Sequence, residues 1–318
     1  MAKCLYCYQP LENGAGDFHQ GCVKKFFGAI QAPILPYARD QLEELAGEII
    51  RRSVSVPGVQ AKLSLHLFSD VGHKQEPRLT LVGLWGSFIL KPPADLWLGM
   101  PEIEDCTMHL AELFRIPAVP HSLIRLASGE LAYITRRIDR DQKSNRPIHM
   151  EDFCQLSGKL TEQKYRGSLE GCAKIIKLWS SNALLDLVNF FDLTLFSFLT
   201  GNSDMHLKNF SLIHTPKGMI SLSPAYDLLS TRLLLSEKED PEEFALTMNG
   251  KKRRFTKNDF LNFGTGCGLS SKQMENSFKR FKKSLGAGFS LIESSCIPGD
   301  LKKSYRTLME ERAGRLGL

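Results

Sequence analysis

The hydrophobic pattern of this 318-residue chain changes its period near residue 150. Upstream, short apolar runs such as KLSLHLFS, GSFILK and HSLIRL are separated by turn residues, which is typical of β-strands. Downstream, segments such as LEGCAKIIKLWS and NALLDLVNFFDLTLFSFLT have the length and period of helices. The sequence therefore predicts an α+β protein, with a small, mostly antiparallel sheet followed by a larger helical part.

Further runs of the same kind complete the two parts. RLTLVG and ELAYITRRI predict two more strands, and IEDCTMHLAELF predicts one helix among them. Three more helices are predicted from MEDFCQLSGKL, KQMENSFKRFKKSLGAGFSLI and LKKSYRTLMEERAG. The chain crosses from one part to the other near Ile138 to Gln142. We therefore expect an appended module at 1–29, a β-rich lobe at 30–140 and a helical lobe at 141–318.

Composition excludes several classes of protein. With 42% hydrophobic and 24% charged residues, the chain is globular rather than disordered or fibrous. The start, MAKCLYCYQP, lacks the pattern of a signal peptide, and no run approaches eighteen uninterrupted apolar residues. Four of the eight cysteines stand singly in apolar patterns, which suits reduced thiols: Cys106, Cys154, Cys172 and Cys267. We expect a cytoplasmic protein without a membrane span.

The net charge of +6 is concentrated toward the C-terminus, where basic clusters stand at Lys251 to Arg254 and Lys279 to Lys283. Such clusters are usually the solvated faces of helices. A basic face could also attract nucleic acid or an acidic partner. The sequence leaves direct nucleic-acid binding open.

A polar segment, GNSDMHLKNF, follows the most apolar predicted helix directly. In it Asp204 and Asn209 are spaced D-x4-N, and Asp227 follows after a strand-like hairpin. Phosphoryl transfer uses one carboxylate to orient the attacking hydroxyl, and an amide oxygen and a second carboxylate to hold Mg²⁺ against the nucleotide phosphates. The trio predicts this chemistry. His206 and Lys208 lie in the same segment and either contact phosphate or hold the loop.

The β-rich part offers groups that suit a nucleotide. SVSVPGVQAKLSL is a loop whose backbone amides could approach phosphates before it enters a strand. Lys91 ends the apolar run FILK, where an ammonium group needs an anionic partner. A nucleotide phosphate and Glu104, on the following helix, would provide two such partners. The alternative is a surface lysine whose stem lies along the apolar face.

The first residues contain the layout C-x2-C-x11-H-x2-C. A CxxC knuckle supplies two thiolates, and a second pair of ligands can close a tetrahedral zinc site. The predicted ligands of this structural site are Cys4, Cys7, His19 and Cys22. The alternative is a pair of buried cysteines with a surface histidine.

Seven blocks of this sequence resemble the HipA-like serine/threonine kinases, the toxins of bacterial type II toxin–antitoxin systems. The blocks are SVPGVQAKLSL, FILKPP, MHLAELFRIPAVP, RRIDR, HMEDFCQLSGKLTEQKY, GNSDMHLKNFSLI and SPAYDLLS. The resemblance implies a bilobal protein-kinase-like fold that uses ATP with Mg²⁺ to phosphorylate protein serine or threonine. It implies that Asp204 is the base, Asn209 and Asp227 are the metal ligands, and Lys91 contacts the ATP phosphates. The implied nucleotide loop consists of Val56, Pro57, Gly58, Val59, Gln60, Ala61 and Lys62.

The resemblance also implies partners and regulation. Family members typically phosphorylate aminoacyl-tRNA synthetases, and the serine at the position of Ser55, two residues after Ser53, is autophosphorylated in them. The segment before this loop is shorter here than in full-length members, which resembles the variant whose N-terminal subdomain is a separate small antitoxin. We therefore expect such a partner and a DNA-binding antitoxin. The alternatives are a small-molecule or lipid phosphotransferase and a catalytically silent binding module.

Overall fold

The structure is a computed structural model that describes residues 2–12, 16–52, 62–68, 77–82, 86–141, 144–215 and 217–318, with the backbone alone for 46–52. The chain divides into two compact units. Unit 1 contains Met1–Asp105, Val119–Asn145 and Ser294–Ile297, and unit 2 contains Cys106–Ala118, Arg146–Glu293 and Pro298–Leu318.

Unit 1 is built on a five-stranded antiparallel sheet. Its strands are β1 (Leu63–Phe68), β2 (Arg78–Leu81), β3 (Phe88–Lys91), β4 (His121–Arg125) and β5 (Leu131–Arg136). They lie in the order β2-β1-β3-β5-β4. Alternation along the first strand buries Leu63 and Leu65 on one face, as a half-buried strand requires. The structure confirms the five strands predicted from the sequence.

Among the described residues of unit 1, three helices begin: α1 (Gln20–Phe27), α2 (Arg39–Arg52) and α3 (Met100–Leu113). Helix α1 ends at Gly28, whose φ of 70° is a left-handed conformation that glycine adopts without strain. Helix α3 contains the predicted run IEDCTMHLAELF. Helix α2 was not predicted, because its sequence, RDQLEELAGEIIRR, is dominated by charged residues and has only a narrow apolar stripe.

The N-terminal residues pack onto this sheet. The rings of Phe26 and Phe27 lie 5.8 and 6.0 Å from the ring of Phe88 on β3, measured between centroids. The Leu5 carbonyl accepts a hydrogen bond of 3.3 Å from the amide of Leu123 on β4. Because β4 is the last strand in the sheet order, this contact covers part of an edge that would otherwise expose backbone groups.

Unit 2 is mainly helical. Its helices are α4 (Phe153–Leu156), α5 (Leu169–Trp179), α6 (Ala183–Thr200), α7 (Lys257–Gly266), α8 (Ser271–Ser294) and α9 (Gly299–Leu316). The predicted helices α5, α6, α8 and α9 are confirmed. Helix α7 was not predicted, because its start is set by a capping box between Thr256 and Asp259 rather than by a long apolar stripe.

Helix α6 forms the core of unit 2. It is apolar and long enough to cross a membrane, but 72% of its residues are buried inside the protein, as in the core helix of a globular domain. The hydroxyls of Thr194, Ser197 and Thr200 donate hydrogen bonds of 2.8 to 2.9 Å to carbonyls one turn earlier in the helix. These bonds satisfy polar groups that burial would otherwise penalise.

A three-stranded sheet places the polar segment of unit 2. It consists of β6 (Met150–Asp152), β7 (Ser211–His214) and β8 (Ile220–Leu222), with β7 in the centre. The prediction of a helix over MEDFCQLSGKL is therefore wrong except at Phe153–Leu156. Its first three residues form β6, and its last four lie beyond the end of α4. Asp152 accepts a hydrogen bond from the amide of Gln155 and so begins this helix of four residues.

Candidate active site

The loop after helix α6 is fixed around the backbone of Asp204. Helix α6 ends at Gly201, and the chain reaches β7 through a short 3-10 turn at Leu207–Asn209. The side-chain nitrogen of Asn209 donates to the Asp204 carbonyl at 3.0 Å, and the His206 amide donates to the same oxygen at 2.8 Å. Because the amide nitrogen of Asn209 is used in this bond, its oxygen is the atom that could bind a cation.

The carboxylate of Asp204 contacts a tyrosine. The Tyr165 hydroxyl donates to Asp204 Oδ1 at 3.0 Å, and the His206 ring packs edge-on against the Tyr165 ring, with centroids 5.2 Å apart. Burial, and then the charge of Asp204, raise the pKa of Tyr165 well above its usual value. Tyr165 therefore remains a hydrogen-bond donor to Asp204 throughout the physiological pH range.

Asp227 has an uncommon backbone conformation. Its φ is 60°, in the left-handed region, which aspartate tolerates better than most residues. The neighbouring Tyr226 hydroxyl donates to the Lys208 carbonyl at 3.0 Å and bonds the Ser211 hydroxyl at 2.5 Å. Tyr226, which precedes Asp227, is thus bonded to Lys208, which precedes Asn209. This hydrogen bond connects the backbone segments of the two proposed metal ligands.

The side chain of Lys208 contacts helix α4. Its ammonium group lies 2.8 Å from Asp152 Oδ2, and Asp152 also caps that helix. This ion pair ties the loop to the start of α4. It is a loop-holding contact, one of the two roles that the sequence left open for Lys208.

The candidate nucleotide groups of unit 1 include a buried ion pair. Lys91, at the end of β3, pairs with Glu104 of α3, and the two residues are 4% and 0% exposed. The Lys91 ammonium group also lies 5.3 Å from the centre of the ring of Tyr133, the β5 residue that pairs with Lys91 in the sheet. The lysine is therefore buried and paired, not a surface lysine lying along the apolar face.

The loop predicted to contact the nucleotide lies mostly outside the described residues. This applies to Ser53, Ser55, Val56, Pro57, Gly58, Val59, Gln60 and Ala61. Lys62 is described and is exposed immediately before β1.

The Cys/His pattern of the first residues converges in space. The ligand atoms of Cys4, Cys7, His19 and Cys22 all lie within 4.8 Å of one another. Burial raises the pKa of Cys4, but hydrogen bonds from the backbone of His19, Tyr6 and Cys7 outweigh it, and its net pKa is below the usual thiol value. Burial, followed by interactions with Cys7 and Cys4, raises the pKa of Cys22 to about 12.

Half of the basic side chains in the clusters near the C-terminus are paired with acids. Lys251 lies 2.8 Å from Asp259, and Lys279 lies 3.0 Å from Glu275 one helical turn away. Arg280 pairs with the buried Asp192 of α6. These contacts support the interpretation that the clusters are solvated or structural helix faces.

Sequence reasoning missed Tyr165, Asp152 and Tyr226 as parts of this site. Tyr165 lies in the quoted block KLTEQKY, but it is 39 residues from Asp204 in sequence, and no local pattern links the two. Asp152 showed a capping signal, with Gln155 three residues later, which could have located the start of α4. It could not have shown the contact with Lys208.

Comparison with known proteins identifies the family. Residues 54–288, well over half of the chain, match the HipA-like C-terminal domain. The chain belongs to the HipA-like C-terminal domain family. The resemblance drawn from the seven sequence blocks is confirmed.

A curated relative of this HipA-like chain is the Sinorhizobium fredii protein named "Putative kinase Y4dM". The two are 32% identical over 232 residues, which cover 69% of this chain and 54% of that protein. This chain thus aligns with about half the length of that relative.

Solved structures share the HipA-like fold. A HipA from Shewanella oneidensis, in a complex of HipA, HipB and operator DNA, matches with a TM-score of 0.67 and 22% identity, over 86% of this chain and 71% of that chain. The Helicobacter pylori proinflammatory kinase CtkA matches with a TM-score of 0.53 and 16% identity, over 72% of this chain and 86% of that chain. These matches confirm the predicted fold class, a β-rich part followed by a helical part.

Proposed function

We propose that this HipA-like protein is an ATP- and Mg²⁺-dependent serine/threonine protein kinase that acts as a toxin in a bacterial toxin–antitoxin system. The observation that carries the proposal is the connected arrangement of Asp204, Asn209 and Asp227 on the loop and turn that flank the β7–β8 hairpin. Phosphoryl transfer depends on positioning and charge stabilisation by such a set of oxygen atoms.

Asp204 is the proposed base. In this role its carboxylate accepts the proton of the attacking hydroxyl and orients that oxygen toward the phosphorus. The Tyr165 hydroxyl donates to the Oδ1 oxygen of this carboxylate at 3.0 Å and so helps to fix its orientation. Fixing the carboxylate in this way reduces the reorganisation needed during the reaction.

Asn209 and Asp227 would hold the Mg²⁺ that accompanies ATP. The donor set fits this ion, because an amide oxygen and a carboxylate oxygen are hard ligands and few in number. When bound, Mg²⁺ neutralises charge on the nucleotide phosphates. The hydrogen bond from Asn209 to the Asp204 carbonyl orients the amide, so the base and the metal ligand are positioned together.

Unit 1 would contribute contacts to the nucleotide. Lys91 would pair with the ATP phosphates while Glu104 fixes the position of its ammonium group. The segment Val56–Lys62 is the proposed nucleotide loop. Ser53 and Ser55, which precede it, are the proposed autophosphorylation sites, and a phosphate there would repel ATP and switch the kinase off.

The partners are proposed from the family. The Shewanella HipA was solved with HipB and operator DNA, and we infer that this chain likewise acts with a DNA-binding antitoxin. A separate small antitoxin resembling the N-terminal subdomain is the second proposed partner. The proposed substrate is a protein of the translation machinery such as an aminoacyl-tRNA synthetase, and the proposed location is the cytoplasm.

Labelled ATP tests the proposed activity. Purified protein is incubated with γ-labelled ATP, Mg²⁺ and a bacterial lysate, beside Asp204→Asn and the exposed control Asp300→Asn. We expect label on protein bands with the wild type and Asp300→Asn, and at least roughly a 10²-fold reduction with Asp204→Asn. Phosphopeptide mass spectrometry then identifies the modified residue, with Ser53 or Ser55 expected in the wild type only.

The outcomes separate the alternatives. Label on small molecules or lipids instead of proteins would assign the chain to the other class of phosphotransferase. Absence of label would indicate a catalytically silent binding module. Full activity in Asp204→Asn would overturn the assignment of the base, and unmodified Ser53 and Ser55 in an active wild type would end the autophosphorylation proposal.

A further inference from the structure

The N-terminal module contains a second site whose geometry suits a metal ion. With Zn–S bonds of about 2.3 Å and a Zn–N bond of about 2.0 Å, ligands at a tetrahedral angle lie about 3.5–3.8 Å apart. In the structure His19 Nδ1 lies 3.4 Å from Cys7 Sγ and 3.9 Å from Cys22 Sγ. Both distances are close to the nitrogen–sulfur edge of about 3.5 Å in such a tetrahedron, and all four ligand atoms lie within 4.8 Å of one another.

Two separate pieces of backbone present the ligands. Cys4 and Cys7 lie in a tight knuckle, in which the Tyr8 amide donates to the Cys4 carbonyl at 2.9 Å and Tyr8 has a φ of 61°. His19 directly precedes α1, at its N-cap position, and the Cys22 amide donates to the His19 carbonyl at 2.9 Å. The second pair is thus one helical turn apart and faces the knuckle.

A neighbouring group fixes the orientation of the histidine ring. His19 Nε2 lies 3.0 Å from the Pro10 carbonyl, which can only accept a hydrogen bond. Nε2 is therefore the protonated nitrogen, and Nδ1 presents its lone pair toward the cysteine sulfur atoms. Metal-binding histidines are commonly oriented by such a bond to a carbonyl.

The knuckle is also connected to helix α3. The Tyr8 hydroxyl donates to Asp105 Oδ2 at 2.5 Å, and His121 Nδ1 lies 2.6 Å from Asp105 Oδ1. Tyr8, Asp105 and His121 are at most 2% exposed. Asp105 follows Glu104, the partner of Lys91, so a chain of buried contacts links the knuckle to that ion pair.

We propose that unit 1 carries a structural zinc site that holds helix α3 in place through Tyr8. Its ligands are Cys4, Cys7, His19 and Cys22. Three sulfur ligands and one imidazole in a tetrahedron favour zinc over hard cations. A segment of under thirty residues has little core of its own, and closing two ligand pairs around a metal supplies folding free energy that its few apolar residues lack. The functional importance of α3 rests on the proposed role of Glu104, but the metal site does not.

Metal analysis tests the site. We expect purified wild-type protein to contain about one zinc per chain, released when a mercurial reagent modifies the thiols, as expected for thiolate-bound zinc. Cys4→Ser with Cys7→Ser should remove the zinc. Cys296→Ser should retain it, because Cys296 lies outside the cluster. Metal-free wild-type protein, iron in place of zinc, or equal zinc in the double variant would overturn the proposal.

Hydrogen exchange tests the link to α3. Chelation of zinc from the wild-type protein should speed amide exchange in the first turns of Met100–Leu113. Tyr8→Phe should speed it as well, while keeping its zinc, because that variant lacks the hydroxyl that donates to Asp105 but retains all four metal ligands. Unchanged exchange in both cases would overturn the link. Neither measurement requires ATP, so a failure here is distinct from a failure of the proposed kinase activity.

Discussion

At the scale of single residues, the candidate active site depends on contacts that orient a few oxygen atoms. Asp204 is held by Tyr165 through its side chain and by Asn209 and His206 through its carbonyl. The conformation of Asp227 adds a constraint, because a left-handed backbone accepts few residue types. Substitutions at this site must therefore be chosen to separate chemistry from folding.

For Asp227 we expect asparagine and alanine to have different effects on stability. Asp227→Asn should lose Mg²⁺-dependent ATP affinity and retain its melting temperature, because asparagine tolerates a positive φ. Asp227→Ala should lose the same affinity and also about 1 kcal/mol of stability from the left-handed backbone. Calorimetric titration with Mg-ATP and thermal unfolding measure the two effects. Unaltered ATP affinity in both variants would remove Asp227 from the metal site.

For Tyr165 we expect Phe to slow the reaction without abolishing it. Loss of one hydrogen bond of about 1 kcal/mol should lower kcat roughly fivefold and leave the KM for ATP unchanged. Steady-state kinetics with varied ATP measures both constants. An unchanged kcat would show that the tyrosine has only a packing role.

At the scale of elements, unit 2 depends on how its helices end and on what their ends contact. Helix α6 ends at Gly201 in the left-handed conformation, directly before the loop that carries Asp204. Helix α9 is joined to the rest of unit 2 by the buried pairing of Glu243 with Arg315 and Arg312. The first feature connects the core helix to the candidate catalytic loop, and the second connects the C-terminal helix to the rest of unit 2.

We expect Gly201→Ala to destabilise the protein. A β-carbon there would lie 2.7 Å from Leu308 Cδ2 and 2.9 Å from Arg232 Cβ, and the φ of 69° disfavours alanine. Together these effects should cost about 2–4 kcal/mol. Gly286→Ala is the matched control, because no atom lies within 4 Å of its added carbon and α8 should gain about 0.5–1 kcal/mol of helix propensity. In urea unfolding, the free energy of unfolding should therefore fall below that of the wild type in Gly201→Ala and rise above it in Gly286→Ala.

The Glu243 cluster predicts a pH dependence of stability. Burial raises the pKa of Glu243, but hydrogen bonding to Arg315 and the charge of Arg312 outweigh it and hold its pKa below the usual value. Because the folded pKa is lower than the unfolded one, the stabilisation is complete above the unfolded pKa of about 4.3 and is lost as the pH falls through the folded pKa.

Glu243→Gln should therefore lower stability at pH 7 by about 3 kcal/mol, since it leaves buried arginine charge unpaired. The difference in stability between Glu243→Gln and the wild type should become smaller as the pH approaches 3. Glu310→Gln breaks only the exposed pair with Arg306 and should change stability by less than about 0.5 kcal/mol. Denaturation at pH 7 and pH 3 measures the free energy of unfolding of the wild type and of both variants. A difference between Glu243→Gln and the wild type that persisted at pH 3 would contradict the proposed cause.

At the scale of the whole molecule, ligand binding should appear as a change in stability. A nucleotide that binds only the folded protein stabilises it by about 2.7 kcal/mol at a hundredfold excess over its Kd. We therefore expect Mg-ATP to raise the melting temperature of the wild type and of Asp300→Asn, but not of Asp227→Asn. A rise of equal size in all three would show that Asp227 does not hold the metal.

The sequence by itself determined the period change from strands to helices and predicted most of these elements, together with the candidate residues of the site. Hydrophobic periodicity is a local property, so β1–β5 and helices α5, α6, α8 and α9 could be predicted without a tertiary structure. The D-x4-N spacing and the later Asp227 were equally visible. Charge-rich α2 and the strand β6, which depends on pairing with β7, were not visible from period alone.

Only the tertiary structure decided which side chains meet. Tyr165 reaches Asp204 over 39 residues of sequence, and Tyr8 reaches Asp105 over 97. The burial of Lys91 beside Glu104 likewise depends on the packing of α3 against the sheet. The physical reason is range: backbone preferences and hydrophobic period act over a few residues, whereas these contacts form only when distant segments share one core.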